Sequence, residues 1–135
     1  MSKNLLLVKH FVNEYYSGGL KNLEALVSND FKYNSNIVKD LNFKQLVNYI
    51  ETLSTYADSN FINIKSADDK IFYVEYEIDL IHQYLDFNKK IIVCNVIKVE
   101  NQLITSIEMR YENKNFTEEQ SILALELVSK PALTE

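Results

Sequence analysis

Few side chains in this 135-residue chain can move a proton near neutral pH. The candidates are His10, His82, the lone Cys94 and any carboxylate whose basicity is raised. His82 follows Phe72, Val74, Tyr76, Ile78 and Leu80 at two-residue steps. On a strand it therefore shares their buried side, near the strand's end. There it reads as an acid or base, or as a hydrogen-bonded rim residue. Glu108 lies in "LITSIEMRY", residues 103–111. In apolar surroundings its carboxyl would rise toward a useful pKa. Alternation gives a second reading: Leu103, Ile107, Met109 and Tyr111 mark the apolar parity, and Glu108 shares the wet one with Ser106 and Arg110.

Three uncharged groups join these candidates. Asn95 interrupts the buried parity of Ile91, Val93, Ile97 and Val99, and a buried amide needs partners. It either faces a ligand or bridges backbone groups. Tyr15 lies on an apolar helical stripe and either donates its hydroxyl inward or packs. Tyr33 follows "NDFK" and could line a pocket mouth. No H-E-x-x-H, Gly-rich phosphate loop or G-x-S-x-G occurs, so neither a metal nor a cofactor is expected. Cys94 stands in an apolar run and reads as a small buried hydrophobe.

The bulk composition narrows the classes. Hydrophobic residues make up 47% and charged residues 24%, enough for one core, and the length fits a single domain over 1–135. Net charge is −5 and Lys89-Lys90 is the only adjacent basic pair, a poor match to a nucleic-acid backbone. The apolar run Leu5–Val8 is too short for a signal-peptide core. No stretch approaches a membrane span of about 20 residues. A soluble, cytoplasmic protein is expected.

The elements that must position these groups follow from periodicity. Leu5, Val8, Phe11, Val12 and Tyr15 recur at helical spacing. The chain's only two glycines, Gly18 and Gly19, come next, and a left-handed residue there would end the helix. A second helix is expected over "LKNLEALV", 20–27, closed by Asn29-Asp30, with a short strand at 31–33. A third helix begins near Asn42, which pairs with Gln45 as a capping box. After residue 60 the period falls to two. Strands flank the turn Asp68-Asp69-Lys70, then Asp86-Phe87-Asn88, then Glu100-Asn101. A last helix is expected over about 117–130, capped by Thr117 and stopped by Pro131. The class is α+β, with helices on one face of a curved antiparallel sheet. Residues 91–99 are apolar on both parities. The outer side of that strand therefore needs a cover, either a second copy of the chain, sheet against sheet, or the C-terminal helix.

This order resembles the cone-shaped nuclear transport factor 2-like superfamily. Within it, the chain is most similar to the SnoaL-like group of polyketide cyclases, related to ketosteroid isomerases. The likeness covers about residues 3–112. It is carried by "LEALVSNDFKYN" (23–34), "FKQLVNYI" (43–50) and "VIKVENQLITSIEMRY" (96–111). It implies a deep pocket between helices and sheet that takes small apolar molecules, often in homodimers. Catalytic members use a carboxylate or His base with Tyr or Asp donors. Here the family's His position falls on Asn34 and the isomerases' basic Asp on Ser35, neither a base. The donor Tyr falls on Phe11, with Tyr15 one turn later. Asn101-Gln102 replaces Asp-Gly, and Glu108 stands where cyclases have Asp. The resemblance thus implies a small, mostly apolar ligand lined by Tyr15, Tyr33, Asn34 and Asn95. Any chemistry would be isomerase- or cyclase-type proton transfer by Glu108 or His82. The alternative is a non-catalytic interaction or ligand-sensing module, favoured by the missing base at 34–35.

Overall fold

The computed structural model describes residues 2–15, 19–35, 38–53, 57–82 and 87–111. Its order is α1 (Lys3–Tyr15), a 3₁₀ segment (Leu20–Leu26), β1 (Val27–Asn34), α2 (Phe43–Leu53), β2 (Ala57–Lys65), β3 (Ile71–His82), β4 (Phe87–Glu100) and β5 (Leu103–Tyr111). The expected helix over 117–130 lies outside the described residues, as does Gly18.

Helix α1 buries the stripe Val8, Phe11, Val12 and Tyr15. Helix α2 starts at the expected box: the Gln45 N–H donates to Asn42 Oδ1 at 2.8 Å, and the Asn42 N–H donates to Gln45 Oε1 at 3.0 Å. The second helix differs from expectation. It is 3₁₀ rather than α, and Val27 is already extended at φ −114°, ψ 153°. Leu20 and Leu23, three residues apart, are its buried pair, and a threefold helix stacks that spacing on one side. Asn29-Asp30 then fall inside β1 rather than closing a helix. Gly19 is right-handed, at φ −95°. A Cβ there would meet only the Glu14 carboxylate, the far end of a flexible side chain that can swing aside.

The five strands form one curved, open sheet in the order β1-β5-β4-β3-β2. Pairs β2–β3, β3–β4 and β4–β5 are antiparallel. The expectation of a wholly antiparallel sheet is corrected at one edge, where β1 lies parallel to β5 with Tyr33 opposite Ile107. Alternation marks a strand but says nothing of its partner. The intervening α2 and β2–β4 supply the long crossover that a parallel pair requires. Register shifts in β1, at Phe61/Asn63 and at Lys98/Val99 interrupt the ladders, and such bulges bend a sheet. Asn101 and Gln102 join β4 to β5 with φ of 51° and 63°, both left-handed, between paired Glu100 and Leu103.

The helices share a single core with one face of the sheet. That cluster takes in Phe11, Tyr15, Leu46, Tyr49, Val74, Tyr76, Val93, Ile97, Ile107 and Met109. On the opposite, outer face Tyr73 and Ile92 are 42% and 48% exposed, while Val96 is buried beside them. No helix among the described residues is long and apolar enough to cross a membrane.

Candidate functional site

Among the described residues of the helix-covered face, Asn95 is the one buried side chain that is neither apolar nor a tyrosine. Asn95 is 1% exposed, and no charged side chain among the described residues is buried with it. Its ladder neighbours are Val74 on β3 and Met109 on β5. Alternation puts Val93 and Ile97 on the same side of its own strand. Neither Oδ1 nor Nδ2 has a hydrogen-bond partner among the described residues. An amide so placed costs about 1–3 kcal/mol.

The same core holds tyrosines in two pairs. Tyr33 is fully buried, not at a rim, and its hydroxyl donates to Met109 Sδ at 3.5 Å. Its ring meets that of Tyr49 from α2 at 5.9 Å between centroids. Tyr15 of α1 stacks on Tyr76 of β3 at 6.2 Å. Burial pushes the Tyr76 phenol far above its ordinary pKa, so it stays protonated. Sequence reasoning singled out Tyr15 and Tyr33 but passed over Tyr49 and Tyr76. Their signal was a tyrosine at a buried helical or strand position.

The other expected residues lie apart from this group. Asn34 is half-buried, and its Oδ1 accepts the Asp40 N–H at 2.9 Å, bracing a loop whose Asp40 is left-handed at φ 55°. Glu108 pairs with Val96 and so faces outward, with its side chain 53% exposed. Arg110 Nε donates to its Oε1 at 2.9 Å. That bond holds the carboxyl below its ordinary pKa. His82 ends β3 opposite Phe87; its side chain is outside the described part. Cys94, on the outer face, is half-buried. Burial, then the nearby Glu75 carboxylate, raises its thiol pKa. Among the described residues no group of three His, Cys, Asp or Glu is placed to hold a metal ion.

A separate cleft of about 590 Å³ opens between α1 and the β2–β3 hairpin, lined by Leu5, Lys9, Ile64, Asp68, Asp69 and Phe72 among others. None of the expected site residues lines it. Its acids serve the hairpin and the start of α1: Asp68 accepts the Lys70 and Ile71 N–H groups, and Asp69 accepts the Ser2 hydroxyl.

The architecture superposes on an NTF2-like protein of unknown function from Cytophaga hutchinsonii with a TM-score of 0.65, covering 82% of this chain and 91% of that one at 13% identity. The chain has the nuclear transport factor 2-like fold. Other solved structures with this NTF2-like architecture carry enzyme names. An LEH-like epoxide hydrolase from M. tuberculosis matches with a TM-score of 0.66 and 16% identity over 94% of this chain and 97% of that one. SalBIII, an epoxide hydrolase/cyclase-like enzyme in pyran ring formation in polyether salinomycin, matches at 0.65 and 11% identity over 84% and 93%. The sequence itself matches no family model and no curated protein. At such identities the likeness speaks for the fold alone.

Proposed function

We propose that a hollow lies between the helices and the sheet and that it binds a small, mostly apolar molecule. The observation that carries this reading is Asn95, a fully buried amide without a hydrogen-bond partner among the described residues, on a face otherwise made of apolar and tyrosine side chains. The enzyme names on structures of the same fold lend it support. The test is titration with N-phenyl-1-naphthylamine, an uncharged dye that fluoresces in apolar surroundings. Saturable one-to-one binding is expected, and it should be lost in Val74→Phe, which adds bulk at the ladder neighbour of Asn95. A wild-type protein that gives no saturable signal refutes the reading.

The catalytic form of this proposal is isomerase- or cyclase-type proton transfer by Glu108 or His82, with Tyr15, Tyr33, Asn34 and Asn95 as surrounding donors and acceptors. Glu108, ion-paired on the outer face, would serve only a substrate that reaches that face. Turnover that survives both Glu108→Gln and His82→Ala removes this form. We further propose a homodimer through the sheet, supported by exposed Tyr73 and Ile92 around buried Val96. A monomeric mass in sedimentation at micromolar concentration counts against it. A cytoplasmic setting is proposed on the single cysteine.

A further inference from the structure

We infer that the occupant of the hollow is an uncharged molecule presenting a hydrogen-bond donor and an acceptor side by side, as a carboxamide or lactam does, and that Asn95 reads that edge. The inference rests on the pocket reading above and adds the chemical class.

A carboxamide carries an acceptor oxygen and a donor nitrogen on one planar group. In Asn95 both are buried and both lack a partner among the described residues. A ligand offering only an acceptor would satisfy Nδ2 and strand Oδ1; one offering only a donor would do the reverse. An edge with one of each satisfies both through two parallel hydrogen bonds. The ladder neighbours Val74 and Met109 cannot compete, since one is a hydrocarbon and the other a weak thioether acceptor. The Met109 sulfur is moreover already approached by the Tyr33 hydroxyl.

The charge state follows from the same face. Among the described residues no Lys, Arg, Asp or Glu is buried with Asn95, and the other hydroxyl-bearing side chains buried in this core are tyrosines. The buried Tyr76 phenol stays neutral. An ionised carboxylate, phosphate or amine entering here would lose its hydration without gaining a counter-charge. The apolar remainder of the ligand would lie against Val93, Ile97 and the tyrosine rings.

Three probes sharing one ring system test this: naphthalene, naphthalene-2-carboxamide and 2-naphthoate. Each is measured by displacement of N-phenyl-1-naphthylamine from wild type and from Asn95→Val. The carboxamide is expected to bind wild type more tightly than naphthalene, with the naphthoate weakest at pH 7.5. In Asn95→Val the carboxamide's advantage should fall by about tenfold or more, the scale of a lost buried hydrogen-bond pair. Naphthalene should still bind that variant, which shows that its hollow is intact. An unchanged advantage in Asn95→Val overturns the inference while leaving the pocket standing. So does equal binding of carboxamide and naphthalene to wild type, or tightest binding of the naphthoate. Failure of the dye itself to bind wild type sinks the pocket and this inference together.

Discussion

Replacing Asn95 with valine should make the ligand-free protein more stable, although the residue lies at the centre of the proposed site. The amide is 1% exposed with both polar atoms unpartnered. On mutational scales such a group costs about 1–3 kcal/mol. Valine removes that cost and suits a strand between Val74 and Met109. It also has one heavy atom fewer, and the small void left behind returns up to about 1 kcal/mol. The net expectation is a gain of about 1–2 kcal/mol, or roughly 3–6 °C in Tm for a domain of this size. Urea and thermal unfolding followed by far-ultraviolet circular dichroism would measure it, on protein refolded from guanidinium to strip any bound molecule. A loss of about 1 kcal/mol or more would refute the reasoning, because it would mean that the amide is already well bonded. A residue kept at the expense of stability is what a binding role predicts.

Gln102 stands at φ 63° in a two-residue turn where glycine or asparagine is at ease. Gln102→Gly should therefore raise stability by about 0.5–1 kcal/mol in urea titrations, after the flexibility that glycine adds to the unfolded chain; Asn101→Gly should do less. Asp68 accepts the Ile71 and Lys70 N–H groups, and those bonds hold its pKa below the ordinary carboxylate value. A depressed folded-state pKa adds stability that is present above the unfolded value and lost as pH falls through the folded one. Wild type should thus lose stability below about pH 4 more steeply than Asp68→Asn, whose amide oxygen accepts the same bonds without titrating; parallel acid limbs would contradict this. Burial and Glu75 raise the Cys94 thiol, so its reaction with a disulfide reagent at pH 8 should be slower than that of a free thiol. Glu75→Gln should speed it, and an unchanged rate would count against the carboxylate's influence.

Legibility in the sequence varied with the range of the interaction. The α1 stripe and the Asn42–Gln45 box are set within one or two turns, and both were read from spacing alone. The alternation in β3 put Val74 inward, and that in β5 offered Glu108 the face of Ser106 and Arg110 as one of two readings, the one that its pairing with Val96 bears out. The 3₁₀ segment was missed because Leu20, Leu23 and Leu26 fit either helix. Its end at Val27 is decided by burial in β1. The parallel pairing of β1 with β5 joins residues more than 70 positions apart, and no local signal marks it. At the site, Asn95 stood out as a polar break in an apolar parity. Whether anything in the protein would satisfy it depended on the side chains of β3 and β5, which only the assembled sheet brings alongside.

That β1 is held at its edge by β5 has a consequence for how the chain comes into being. During synthesis β1 emerges long before β5, and until β5 is made its one backbone bridge among the described residues is Tyr33 to Leu41. The greasy sides of α1, β1 and α2 must wait uncovered through most of translation. Such a protein is expected to fold late, nearly all at once, and to lean on chaperones when its final strand is delayed or truncated.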